Sequence, residues 1–222
     1  LHRPPLNVIE MPQRDQLRLV FEALDEDERV RIIVLRAVGE HFSSGGNIKG
    51  FMEASPEHVS KLAWNIAAPA RCSKPVIAAN RGYCFGVGFE ISLACDFRIV
   101  SETCFYALPE QKLGQIPGSG GSARLQKIVG ITRTKDIVMR SKRIPGKQAL
   151  DWARGDDRCT GRRTPDLLAA RPAHGQETTQ RYGRLDARDC DRVGRALLQP
   201  AAAIRRFPRR RGGVPWQAPR EV

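Results

Sequence analysis

Two glutamates stand out by their surroundings. Glu90 lies in GYCFGVGFEISLACDFRI (82–99), between Phe89 and Ile91 and behind Gly82, Gly86 and Gly88. Glu110 follows Pro109 in YALPEQKLGQIPGSGGSARL (106–125). A carboxylate in apolar company costs free energy to bury, and burial raises its pKa toward the range useful for proton transfer. Two carboxyl groups in unlike environments can divide the roles of acid and base. A third stretch, HFSSGGNIKG (41–50), is a glycine/serine loop behind a β-rich run. Glycine turns that open helices present unshared backbone N–H groups and the positive end of the helix dipole. Two such N–H groups from separate loops can meet on one developing oxyanion, and losing one costs roughly 10²–10³ in rate. Taken singly, each signal also has a plainer reading: a salt-bridged or capping glutamate, a glycine turn.

The elements needed to hold these loops are visible between residues 1 and 150. Leu17, Val20, Phe21 and Leu24 recur at helical spacing. Ile32 to Leu35 form a continuous apolar run, as in a strand covered on both faces. Val59, Leu62, Ala63 and Ile66 mark one face of a helix, with Pro56 near its start. PVIAAN and DFRIV read as strands, GVGFEISLACD as a short buried helix between them. Helical stretches are expected at about 119–130 and 133–140. This alternation predicts an α/β fold.

The chain has 222 residues, and 37 Lys+Arg against 24 Asp+Glu give it a net charge of +13. The charge is unevenly made. Residues 151–222 hold 16 Arg and no Lys among many Ala, Gly and Pro, and no apolar face persists for three turns. Such composition buries too little surface to offset its conformational entropy. Two domains are therefore expected: a core over 1–152 and an atypical, Arg-rich segment over 153–222. A basic interaction tail and out-of-frame translation of a GC-rich gene would each produce the second. A basic arm invites a nucleic-acid reading, but Tyr182, Phe207 and Trp216 are too few to interleave a stacking surface, so nucleic acid is not the expected partner. No apolar run reaches the roughly 20 residues that span a bilayer. No targeting segment is evident, although the chain starts at Leu1 rather than Met. Six cysteines without a C-x-x-C pair suit reduced, buried thiols in a cytoplasmic protein. The four histidines are not at metal-ligand spacing, so no metal is expected.

Taken together, RPPLNVI, HFSSGGNIK, SKPVIAANRGYCFGVGFEISLACDFRI and YALPEQKLGQIPGSGGSARL resemble the enoyl-CoA hydratase/isomerase (crotonase) superfamily, and within it an enoyl-CoA hydratase. The resemblance covers about residues 3–152. It implies a crotonase-like (ClpP/crotonase) α/β spiral of ββα units and hydration of a 2-enoyl-CoA to a 3-hydroxyacyl-CoA, as in fatty acid metabolism. It implies an oxyanion hole made by the N–H groups of Gly46 and Val87, with Glu90 as base toward water and Glu110 as proton donor at C2. Ser44, Asn47, Lys49, Gly86, Pro109 and Gly118 fall on substrate-binding positions, and Lys49 could meet the phosphates of coenzyme A. No separate cofactor is implied, since coenzyme A arrives as part of the acyl-CoA substrate. A homotrimer or hexamer is implied, provided the C-terminal region permits it. The chain departs from the family at Val87, in place of the middle glycine of a GGG turn, at Asn47 in place of Asp, and at YALPE in place of FGQPE. Tyr106, Ala107 and Leu108 are therefore expected to reshape the acyl pocket. The residues after Trp152 do not resemble the family's C-terminal helices. Other acyl-CoA activities, no activity, and an RNA-binding relative remain the alternatives. GSGGSA (118–123) also fits a dinucleotide fingerprint, but no strand precedes it.

Overall fold

The computed structural model describes residues 1–155. In chain order it contains α1 (Met11–Glu26), β1 (Ile33–Arg36), α2 (Ile48–Met52), α3 (Pro56–Ser60), α4 (Leu62–Ile66), α5 (Ala68–Arg71), β2 (Val76–Asn80), β3 (Tyr83–Phe85), α6 (Val87–Ala94), β4 (Phe97–Val100) and β5 (Phe105–Ala107). A 3-10 helix (Pro109–Leu113), α7 (Gly121–Val129), α8 (Ile131–Met139), β6 (Ile144–Pro145) and α9 (Gly146–Gly155) follow. The expectation for the Arg-rich segment lies outside the described residues beyond Gly155.

The strands form two three-stranded sheets. β1, β2 and β4 make one parallel sheet in that order; β3, β5 and β6 make the other, with β6 antiparallel. Each repeat gives its first strand to one sheet and its second to the other, then closes with helix. β2, β3 and α6 form one such unit; β4, β5 and the 3-10/α7 segment form the next. In the first unit β1 supplies the first strand, and Ser43 takes the second place through a single parallel bridge to Cys84. Short parallel strands joined by helical returns are the arrangement that buries both sheets.

Apolar patterning explains most placements. All eight residues of α6 are buried, as expected of a helix apolar all round. In α1 the inward stripe is Arg14, Leu17, Phe21 and Leu24, a 3-4-3 spacing, whereas Val20 is exposed. The expected four-residue face was therefore one position wrong, because Val20 lies about 100° round the helix from Phe21. β1 buries Ile33 and Leu35 but leaves Val34 37% exposed, so it is not covered on both faces. It is one of the two edge strands of its sheet, and its second face is only partly packed. The helical stretch expected in PEHVSKLAWNIAAPARC (56–72) is three short helices, since the chain breaks at Lys61 and again at Ala67 ahead of Pro69. Leu62 and Ile66 are buried there, while Ala63 is exposed.

The turn into β2 is fixed by one carboxylate. Asp25 at the end of α1 accepts from Ser73 N at 2.8 Å, Ser73 Oγ at 2.7 Å and Lys74 N at 3.3 Å. The core contains Cys84, Cys95 and Cys104 as free thiols. Burial pushes Cys95 and Cys104 up to about 12, which leaves them protonated and inert. Cys159 and Cys190 lie outside the described residues. Among the described residues no helix is long and apolar enough to cross a membrane.

Candidate active site

The three glycine-containing stretches meet at one cavity of about 530 Å³. Its wall includes Ser44, Gly45, Gly46 and Asn47 from the first loop, and Gly86, Val87 and Glu90 from the turn into α6. Pro109, Glu110, Gly118 and Ser119 come from the third stretch. Nine of the ten sequence-derived site residues are thus brought together. The exception is Lys49, which stands on α2 outside this wall.

Gly86 is where the loops converge. Its φ of 50° and ψ of −128° are open to glycine and strained for other residues. Its N–H donates to Ala107 O at 3.0 Å, tying the turn to β5. A Cβ there would lie 3.1 Å from Glu110 Oε1 and 3.7 Å from Gly45 Cα. Gly88, one residue into α6, packs directly on the first loop: a Cβ would lie 2.6 Å from Ser43 Cβ and 3.2 Å from Ser43 O. Gly88→Ala is therefore expected to push the two loops apart. The expected cost is about 2 kcal/mol of stability and, for the hydration proposed below and a shift near 1 Å, roughly 10²-fold in turnover. Thermal melting and steady-state kinetics on the same preparation check both.

The two proposed oxyanion donors keep their N–H groups available. No backbone or side-chain acceptor among the described residues takes the N–H of Gly46. Val87 is the first residue of α6, so its N–H has no intrahelical partner. The valine in place of glycine does not obstruct the turn; its side chain is buried and its Cγ1 lies 3.7 Å from where a Cβ on Gly46 would stand.

The two carboxyl groups are held very differently. Glu90 is 3% exposed. Its Oε1 accepts from Ser119 N at 2.7 Å and Gly121 N at 3.0 Å, in the turn that opens α7. Burial raises its pKa, opposed by those two N–H groups and by the charge of Arg14. Glu110 lies in the first turn of the 3-10 helix, and its Oε2 is buried with no hydrogen-bond partner among the described residues. Burial raises it to about 7, opposed by its own backbone N–H, with a smaller push from the Glu90 charge. Burial thus raises both carboxyl groups, Glu90 against two N–H donors and a nearby cation, Glu110 with its Oε2 left without a partner among the described residues.

Other expected residues have structural work. Asn47 caps α2: its Oδ1 accepts from Lys49 N at 3.1 Å, and its Nδ2 donates to Glu10 Oε1 at 3.2 Å. Ser44 N donates to Leu6 O at 2.9 Å. Tyr106, Ala107 and Leu108 do not line the cavity, contrary to expectation. All three are buried, and the Tyr106 hydroxyl accepts from Asn80 Nδ2 at 2.8 Å. On β5 the Tyr106 ring packs against Phe89.

Two features escaped the sequence reading. The GSGGSA turn, considered as a dinucleotide fingerprint, is the anion cradle of Glu90. Arg14, read only as part of a helix, reaches the cavity wall beside Gly46. Its signal was present, since positions 14, 17, 21 and 24 form one stripe and a cation interrupts it.

The comparisons with known proteins agree with this arrangement. The family model for enoyl-CoA hydratase/isomerase matches residues 1–153, and the chain belongs to that family. Carnitinyl-CoA dehydratase of Shigella flexneri is 36% identical over 156 residues, covering 68% of this chain and 60% of the relative. The protein of the same name from Escherichia coli K12 is 35% identical over the same length. The chain thus spans about 60% of the length of these curated relatives. Among solved structures, an enoyl-CoA hydratase from Bacillus anthracis superposes with a TM-score of 0.60 at 31% identity, covering 64% of this chain and 57% of that one. DspI of Pseudomonas aeruginosa gives 0.63 at 29%, covering 67% and 63%. The fold is the crotonase fold, as the motif set implied.

Proposed function

We propose that the chain adds water across the double bond of a 2-enoyl-CoA, or removes it in reverse. The observation that carries this reading is one cavity holding two unshared N–H groups and two carboxyl groups in unlike hydrogen-bond surroundings. The thioester oxygen would sit on the N–H groups of Gly46 and Val87, which gain strength as it becomes an enolate oxygen. Ionised Glu90 would take a proton from water as its oxygen bonds to C3. Protonated Glu110 would give its proton to C2. Atoms balance with one water added, and Glu90 then returns a proton to Glu110. No redox or metal cofactor enters this sequence. The pair works with one shared proton, so activity should fall as pH rises through about 7 and that proton is lost.

The substrate named in the curated relatives is not carried over. Carnitine bears a quaternary ammonium group, and the Arg14 cation in the same cavity opposes it. Assembly as a trimer or hexamer belongs to the same family-based proposal, and sizing chromatography tests it. The RNA-binding alternative rests on arginines outside the described residues and gains nothing from the cavity.

The test is loss of enoyl absorbance when the purified 222-residue chain meets crotonyl-CoA. A steady decline to a hydration equilibrium is expected. Unchanged absorbance across short, medium and branched enoyl-CoAs, from a protein folded by circular dichroism, would reject the hydratase reading.

A further inference from the structure

Arg14 occupies a position where the helix pattern calls for an apolar side chain, and it is only 8% exposed. Among the described residues no hydrogen bond or ion pair is made by its guanidinium, and its Nε is fully buried without a partner. An unpaired buried cation costs several kcal/mol in general, so such groups are normally matched. Glu90 is the acid that attracts it. Yet Oε1 of Glu90 is already held by Ser119 and Gly121, and the two side chains form no ion pair. Arg124, by contrast, donates to Ser119 O at 2.8 Å. Arg14 is thus an unmatched guanidinium in the wall of the cavity that holds Gly46, Glu90 and Glu110.

Its place in that wall is specific. A Cβ on Gly46 would lie 2.8 Å from Arg14 Nη2, so the guanidinium occupies the space a side chain at position 46 would take. The cation therefore borders the residue whose N–H is assigned to the thioester oxygen. A planar fork of donors matches a carboxylate in bidentate fashion, and an uncharged acyl chain offers it nothing.

We propose that Arg14 is the specificity-determining residue of this cavity and selects acyl-CoA thioesters whose acyl chain carries a carboxylate. The inference rests on the acyl-CoA reading above. The phosphates of coenzyme A are the other source of anionic oxygens. They are common to every acyl-CoA, so a comparison that varies only the acyl group separates the two sources.

The experiment measures binding, not turnover, with saturated thioesters that cannot be hydrated. Glutaryl-CoA and adipyl-CoA are titrated into the full-length chain by calorimetry against valeryl-CoA and hexanoyl-CoA, uncharged partners of the same chain length. The carboxylate-bearing member of at least one pair is expected to bind about 10-fold or more tightly, equivalent to roughly 1.4 kcal/mol. Arg14→Met should abolish that preference by weakening the charged ligand while leaving the uncharged one unchanged or tighter. Arg14→Lys should keep part of it, and decides the matter if the Met variant does not fold. Equal binding within both pairs, or a preference that survives Arg14→Met, would overturn the assignment. An effect of Arg14→Met that is equal on charged and uncharged ligands would place the cation on the phosphates instead, and likewise overturn it. Failure of all four to bind would reject the acyl-CoA reading, and Arg14's role with it. Because no chemistry is required, absence of hydration activity leaves this test intact.

Discussion

Glu110→Gln should lower turnover of the preferred enoyl-CoA by about 10³-fold while making the protein more stable at alkaline pH. The first effect follows from removing the group to which the proposed hydration assigns the protonation of C2; positioned general acids contribute typically about 10²–10⁴. The second follows from burial. Glu110 is raised from 4.5 to about 7 in the folded chain, chiefly because its carboxylate is desolvated. Between those values the folded chain holds a proton that the unfolded chain has released. Stability therefore falls as pH rises through that window, and the penalty is complete above about 7. Allowing for the water this half-buried group still meets, the penalty is on the order of 1–2 kcal/mol. Glutamine fills the same space without carrying it. Melting curves of the two proteins should separate at pH 8, with the variant higher, and converge toward pH 4.5. A variant that melts lower at pH 8 would mean that the carboxylate has an anion-stabilising partner. Activity that survives the substitution would remove Glu110 from the proton-transfer role.

This opposition between stability and activity explains why much of the site was legible in the sequence. Glutamates set among Phe89, Ile91 and Leu108 are costly, and glycines such as Gly86 take backbone conformations that other residues resist. Both leave marks in composition and spacing. The strands of the parallel sheet and the buried helix α6 were equally visible, because apolar runs flanked by turn residues follow from burial alone. What stayed hidden depended on contacts distant in sequence. β3, β5 and β6 span three, three and two residues, too short for any period to register. The stretch 56–71 divides into three helices at Lys61 and Ala67, and its apolar spacing marks neither break. The GSGGSA turn looked like a phosphate loop, since both uses need the same free N–H groups; only the fold shows that Glu90 fills it. Arg14 was overlooked because Leu17, Val20, Phe21 and Leu24 admit two overlapping stripes, and only the one without Val20 contains a cation. Tyr106 was misplaced for the opposite reason. The family motif puts it next to Glu110 in sequence, but β5 turns it toward Asn80 and Phe89.

Glu90→Gln tests whether the two carboxyl groups form one device. The amide oxygen can still accept from Ser119 N and Gly121 N, so the turn before α7 should hold and circular dichroism should be unchanged. Only the charge is removed. In the proposed hydration its loss removes the base toward water, and turnover should fall by roughly 10²–10⁴. A second consequence concerns Glu110. The charge of Glu90 helps raise it, so in the variant Glu110 should titrate lower, and the alkaline limb of the residual activity should move below its wild-type position near 7. The double variant is the sharper measurement. Independent groups would multiply their losses to about 10⁶, whereas residues that act as a unit lose little more together than singly. The expected result is a double variant within about tenfold of the slower single one, with the remaining rate due to the N–H groups of Gly46 and Val87. Multiplying losses, together with an alkaline limb that stays in place, would mean that Glu90 and Glu110 act in separate steps. The shared-proton mechanism would then have to be abandoned even if hydration itself were observed.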